Sequence, residues 1–181
     1  LEILSKKRRI ENDILFYEKT DINNISNKKY LQDVRFVEQN IYTPWFKVTV
    51  NDYMYKRIKK YKHLNNHRKK INDIIHKMNL KYLLKRDYRS LSDGERRWIE
   101  LCLSIACDNK VLFIDGFGQY LSSEKINLLS KVLYRKINYD GVTVIVSTHI
   151  RERLSKIASV FIRLDRGKIV SVRSHKKKTR K

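Results

Sequence analysis

Four short stretches carry side chains or backbone groups suited to phosphate chemistry. Residues 88–102, YRSLSDGERRWIELC, run from a polar turn straight into a helix pattern with an apolar face. A helix that starts there offers the Ser92 hydroxyl and free backbone N–H groups, next to Gly94 and Glu95, at the positive end of its dipole. The chain holds only 5 Gly, so a glycine inside this turn calls for a reason such as close backbone approach. Residues 37–40, VEQN, end a strand-like run on Gln39, residues 111–115, VLFID, end an apolar run on Asp115, and STH at 147–149 ends another on His149. Each stretch alone is weak, since an apolar strand ending in Asp is common and a histidine after a strand is most often structural. Their order and their strand-then-helix setting carry the signal.

The elements that must position these groups follow from periodicity. VRFVEQ alternates and reads as a strand ending near Gln39. Pro44 marks a loop, Asn51 is the expected N-cap, and the pattern from about Asp52 to Lys85 is helical, with apolar Ile71, Ile74, Ile75, Met78 and Leu83. RRWIELCLSIAC is a mostly apolar helix, and VLFID is a strand apolar enough to be covered on both faces. SSEKINLLSKVLYRKI is amphipathic, capped by Ser122 or Ser123 and striped by Ile126, Leu129, Val132 and Leu133. VTVIVSTH reads as a further buried strand and IRERLSKIA as a short helix. SVFIRLDRGKIVSV reads as two strands turning at Asp165-Arg166-Gly167-Lys168. Near the start, DILFYEKTDI is strand-like and turn-bounded. Buried strands alternating with helices predict an α/β sheet with crossover connections.

Taken together, the four stretches resemble an ABC-type ATPase domain, over nearly the whole chain. In that family LSDGE corresponds to the signature turn, so the resemblance implies that Ser92, Gly94 and Glu95 face the γ-phosphate of an ATP held mainly by the opposite subunit. It implies that Asp115 closes the Walker B strand and holds Mg²⁺ through water, that Gln39 is the Q-loop contact to metal and water, and that His149 is the switch histidine. RLDRGKIV resembles the family's closing hairpin. The expected fold is therefore α/β, a P-loop NTPase-like ABC core with a small helical subdomain. The stretch between Gln39 and Leu91 leaves room for that subdomain and not for the long coiled coil of chromosome-structural and repair ATPases. The expected division is a partial core over 1–42, the helical subdomain with the signature over 43–96, the core with Walker B and switch histidine over 97–172, and a basic, disordered tail over 173–181.

Departures from the family pattern matter as much. No G-x-x-x-x-G-K-[ST] phosphate loop occurs in the 181 residues. LEILSKKRRI resembles the helix that follows that loop, so the fold is expected to lack its first strands and phosphate loop, which would lie upstream of Leu1 or on another chain. Without that cradle, ATP binding by this chain alone is expected to be weak or absent. After Asp115 the family has a glutamate as general base, whereas this chain has Gly116, which has no proton acceptor. Gln119 is nearby in sequence, but an amide is a poor base. Ser122 stands where the family's D-loop has Asp, and Asp93 replaces the first signature glycine. Impaired hydrolysis at this chain's own Walker B site is the consequence.

The resemblance implies ATP and Mg as cofactors and a second ABC ATPase subunit as partner, in a homo- or heterodimer. The leading expectation is a nucleotide-binding subunit coupled to a separate membrane permease, for which TPWFKVTVNDY resembles the docking loop, with Trp45 and Phe46 as candidate contacts. The other reading of those two residues is that they cover the subdomain core. LSDGERRWIELC also resembles a run in small soluble ABC proteins linked to transcription complexes. The alternatives are thus a soluble ABC protein acting with RNA, ribosomes or a transcription complex, and a catalytically silent partner of an active ABC ATPase. A formal net charge of +22, from 41 Lys+Arg against 19 Asp+Glu, favours polyanionic partners such as nucleic acid, although a Lys-, Asn- and Ile-rich composition alone would produce it. No apolar run reaches the ~18 residues of a membrane span. Cys102 and Cys107, on one expected helix, match neither a zinc site nor a disulfide scaffold and point to a reducing, intracellular compartment. That compartment is peripheral to a membrane for a transporter subunit, with mitochondrion and cytoplasm as candidate places.

Overall fold

The computed structural model of the chain describes residues 15–149, 151–155 and 157–174. The LEILSKKRRI stretch and residues 175–181 of the basic tail lie outside them, as does Ile150. Within the strand-like DILFYEKTDI run, the described residues form a tight antiparallel hairpin, β1 (Phe16–Tyr17) and β2 (Thr20–Asp21), turning at Glu18 and Lys19, both at positive φ. Helix α1 (Asn27–Asp33), capped by Ser26, leads into strand β3 (Val34–Val37). Helices α2 (Val50–Ile58) and α3 (His67–Lys77) precede α4 (Asp93–Ala106), which carries the signature turn at its start. Strand β4 (Val111–Ile114), helix α5 (Ser123–Tyr139) and strand β5 (Thr143–Val146) follow, and the described chain ends in the hairpin β6 (Val160–Asp165) and β7 (Lys168–Ser174).

β3, β4 and β5 form a three-stranded parallel sheet in that order, with Phe36 opposite Phe113 and Phe113 opposite Ile145. On β4, Leu112 and Ile114 enter the main core with α4 and α5, while Phe113 enters a second cluster with Ile22, Tyr30 and Val34. Burial on both faces is what its continuous apolar run required. β5 is different. Its residues alternate, and Ile145 remains 39% exposed, because β5 is the edge of this sheet and among the described residues its outer face is only partly covered. The expectation of a fully buried strand is corrected accordingly.

Four further expectations shift. The long helical stretch is two helices, broken over residues 59–66, where a run of lysines meets Asn65 and Asn66 and Asn66 caps α3 through Lys69 N. The N-cap of α2 is Thr49 and not Asn51, since the Thr49 hydroxyl accepts from Asp52 N at 3.1 Å and donates to its carboxylate at 2.7 Å. Arg173 and Ser174, expected in the disordered tail, belong to β7. The helix expected over IRERLSKIA is reduced, among its described residues, to a 3-10 turn at Glu152–Leu154. The two ends of the helical insertion are tied together: Tyr88 N donates to Val48 O at 2.9 Å and Val50 N to Arg86 O at 3.0 Å. Ser122 caps α5, whose Ile126, Leu129 and Leu133 are buried, and the closing hairpin turns at Arg166 and Gly167, both at positive φ as its two-residue turn demands.

A buried polar cluster joins sheet, insertion and α4. Glu100 of α4 accepts from Tyr53 Oη at 2.5 Å and Tyr88 Oη at 3.4 Å and pairs with Arg35 at 3.5 Å and Arg57 at 3.7 Å. Arg35 also donates to Ser104 Oγ and Tyr61 Oη. Burial first, then the neighbouring Glu100 carboxylate, raises the Tyr53 and Tyr88 hydroxyls above their ordinary range, so both stay protonated as donors. Cys102 and Cys107 are free and buried, Cys107 at the C-cap of α4 and not inside the helix. Burial pushes the Cys107 thiol up to about 12, and both are unreactive packing residues. Glu100→Ala should remove the shared acceptor, strand two arginines and lower stability by about 3–5 kcal/mol, read from urea denaturation.

Candidate functional site

The site is assembled where the C-terminal ends of β3 and β4 meet the start of α4. Asp115 immediately follows β4, and its N–H donates to Val37 O at 3.0 Å, continuing the ladder by one residue. Ser147, immediately after β5, fixes the carboxylate: its hydroxyl donates to Asp115 Oδ1 at 2.5 Å and accepts from Gly116 N at 2.7 Å. Phe117 N donates to Ser147 O at 2.8 Å, and Thr148 Oγ1 to Phe117 O at 3.3 Å. The STH stretch therefore braces the Walker B loop with Ser147 and Thr148, while His149 is exposed beside them. The bracing role of Ser147 was not anticipated. The only signal was its place in the same tripeptide as the histidine.

The signature turn closes as a capping box. Ser92 Oγ accepts from Glu95 N at 3.2 Å, and Glu95 Oε2 accepts from Ser92 N at 2.8 Å. The other Glu95 oxygen is held by Arg86 at 2.6 Å. Burial alone would raise the Glu95 pKa, but the Ser92 N–H and Arg86 outweigh it and hold the carboxyl below its ordinary range. The cap therefore stabilises the fold above the ordinary carboxylate range and weakens as pH falls through it. The Ser92 hydroxyl hydrogen remains available for a further acceptor. Asp93, the departure from the signature, is paired with Arg96 at 2.6 Å, which offsets its charge. Gly94 has a structural reason of its own: a Cβ there would stand 2.5 Å from the Tyr120 carbonyl oxygen. The signature turn thus packs directly on the loop after Asp115.

Arg97 joins the parts. It is 1% exposed on α4, and its guanidinium donates to the carbonyl oxygens of Glu38 and Asp115, the residues at the ends of the β3 and β4 ladders. Sequence reasoning missed it because an arginine in the first turns of an amphipathic helix looks like surface charge. Gln39 follows Glu38, is exposed, and donates from Nε2 to Gln119 Oε1 at 2.7 Å. Gly116 has φ +67°, a conformation that costs a residue with a Cβ about 1–2 kcal/mol.

Trp45 is 84% exposed and Phe46 39%, packed edge-to-face on each other. Trp45 therefore does not cover the subdomain core, although Val48 packs against it. As for the expected cofactors, a carboxylate oriented by a serine and a side-chain amide fit the magnesium end of a nucleotide. Among the described residues no cluster of three or more His, Cys, Asp or Glu could hold a metal unaided.

Comparison with known proteins places this geometry. The family described as ABC transporter matches residues 1–116. The chain is 33% identical over 102 residues to the ATP-binding protein Uup of Haemophilus influenzae, covering 56% of this chain and 15% of that protein. It is 35% identical over 77 residues to the energy-dependent translational throttle protein EttA of the same species, covering 42% and 13%. An uncharacterized ABC transporter ATP-binding protein of Methanocaldococcus jannaschii is 26% identical over 94 residues, covering 52% and 32%. The chain thus spans under a third of the length of each of these relatives, which are bacterial and archaeal and give no support to a mitochondrial placement. Among solved structures, a dimeric ATP-binding cassette in a post-hydrolysis state with ADP and phosphate superposes with TM-score 0.81 at 17% identity, covering 96% of this chain and 78% of that one. An ATP-binding subunit of an ABC transporter gives TM-score 0.81 at 11% identity, covering 96% and 71%. At these identities the likeness is one of fold. No helix among the described residues is long and apolar enough to cross a membrane.

Ser92→Ala should lower stability by about 1 kcal/mol through loss of the cap. Gly94→Ala should cost more, about 1–3 kcal/mol, because the clash is with backbone and cannot be relieved by a rotamer change. Denaturant midpoints of the two variants would check the order.

Proposed function

Because the chain belongs to the ABC transporter family, we propose that it is an ATP-binding subunit, or part of one, that pairs with a second ABC ATPase subunit and has impaired hydrolysis at its own Walker B end. The observation that carries this reading is the end of β4: Asp115 is aligned by Ser147, yet the following residue is a glycine at positive φ, with no proton acceptor where the family's base belongs. Bound Mg·ATP would supply the charge and the reactive phosphate. Asp115 would hold the ion through water with Gln39 beside it, and His149 would donate to the terminal phosphate. Ser92 and the N–H groups around Gly94 would face the nucleotide held by the partner. Glu95 supports that turn indirectly, since both its oxygens are taken. The resemblance to transport cassettes and the exposed Trp45–Phe46 pair support coupling to a separate permease, with a place peripheral to its membrane.

A second reading has its own observation. From Lys56 to Lys70 the insertion presents Lys56, Arg57, Lys59, Lys60, Lys62, Arg68, Lys69 and Lys70 with no acidic residue between them, mostly on its exposed surface. Such a surface suits a phosphate backbone, and one relative is named as a translational throttle. A chain acting with RNA or ribosomes in place of a permease is the alternative.

Three measurements test these readings. Ser92→Arg should reduce partner-stimulated ATPase at least tenfold if the signature completes a site across the dimer, and unchanged turnover would make the turn structural only. Co-sedimentation with ribosomes that falls steeply between 50 and 200 mM salt, roughly as for a protein contacting several phosphates, would favour the second reading. Co-purification with a membrane protein, reduced by Trp45→Ala, would favour the first.

A further inference from the structure

Gly116 and Gln119 are built to fit one another. A Cβ on Gly116 would stand 2.4 Å from Gln119 Oε1 and 3.6 Å from Gln119 Cδ. The Gln119 amide therefore fills the volume that the first atoms of any side chain at 116 would need. One hydrogen bond reaches the amide itself, and the turn that carries it is fixed on either side. Gln119 N donates to Gly116 O at 3.1 Å, closing the turn that folds the side chain back. Gln39 Nε2 donates to Oε1 at 2.7 Å. On the far side of the turn, Tyr120 is pressed against Gly94 of the signature.

We propose that Gln119, pinned by Gln39, is the positioning group that this chain places at the end of β4 in the space of a residue-116 side chain. The inference rests on the ATP-site reading above and names which residue serves it. An amide offers an acceptor at Oε1 and two donors at Nε2, so it can orient a water or a phosphate oxygen. Glutamine does this for the attacking water in other phosphate-transfer enzymes. It takes up no proton, so it orients without acting as a base. Gly116 leaves that space to the amide, because any larger residue is strained at φ +67° and pushes the amide aside, off its bond with Gln39.

The consequence is specific. Restoring a carboxylate at 116 is the wrong repair, and restoring it at 119 is the right one. Gln119→Glu keeps the side-chain shape and the acceptor for Gln39 and adds a proton acceptor. In the full protein purified with its partner subunit and supplied with Mg·ATP, Gln119→Glu should raise turnover at least tenfold. Its rate should also gain an acid limb in the carboxylate pH range, which the parent's rate lacks. Gly116→Glu should gain less than Gln119→Glu and lower the unfolding midpoint. Equal or larger gain from Gly116→Glu, or an unchanged pH profile in Gln119→Glu, would overturn the proposal. A nucleotide-free readout is independent of turnover: denaturation of the parent, Gly116→Ala, Gln119→Ala and the double variant. The double variant should recover part of the midpoint lost in Gly116→Ala, and strict additivity would mean that the amide does not fill the 116 space. Non-additive stabilities with no binding of a fluorescent ATP analogue in any variant would keep the packing but overturn both the ATP reading and the role assigned to Gln119.

Discussion

One buried guanidinium sets the geometry of the site. Among the described residues Arg97 has no carboxylate bonded to it and is spent on two backbone carbonyls, those of Glu38 and Asp115. Burial lowers its pKa from the ordinary guanidinium range, with Asp115 and Glu100 opposing that shift, and the group remains a cation. A charge taken out of water must be matched by hydrogen bonds, and here the match is possible only if the ends of β3 and β4 lie side by side under α4. The residues that follow those two carbonyls are Gln39 and Gly116. Their placement relative to the signature turn is thus fixed by the same helix that carries the turn.

α4 is tied down on its other sides as well. Trp98 Nε1 donates to Met78 O at 3.1 Å just past the end of α3, Glu100 gathers the arginines and tyrosines of β3 and the insertion, and the capping box fixes the first turn. The insertion, the sheet and the turn at Ser92–Glu95 therefore share one rigid element. Coupling between the insertion, where a partner would dock, and the strand ends, where a nucleotide would sit, has a physical route through α4. Gly94 adds a second link, since it lets the turn approach the Tyr120 carbonyl in the loop after Asp115.

Much of this was legible in the sequence because local signals and global packing agree. The apolar run of β4 demanded burial on both faces, the polar turn at Ser92 marked a helix N-terminus, and the Arg166-Gly167 turn spelled a hairpin. The illegible parts depend on partners distant in the chain. Thr49 outcompetes Asn51 as cap because residues 48–50 are bonded to residues 86–88. The helix break at 59–66 depends on packing, as lysines are good helix formers. β5 reads as buried, yet its exposure is set by which neighbours cover its outer face. Gln119 and Arg97 both carry side chains whose ordinary place is the surface, and only the positions of the Gln39 amide and of two strand-end carbonyls give them their roles.

Arg97 holds the signature helix against the ends of β3 and β4. Hydrogen exchange on Arg97→Met, which keeps the bulk and removes the donors, tests it most directly. Amides of Asp115 and Phe117 should lose protection together, while those within α2 and α3 keep theirs. Parent-like protection at Asp115 and Phe117, or a loss spread evenly over the whole chain, would contradict it.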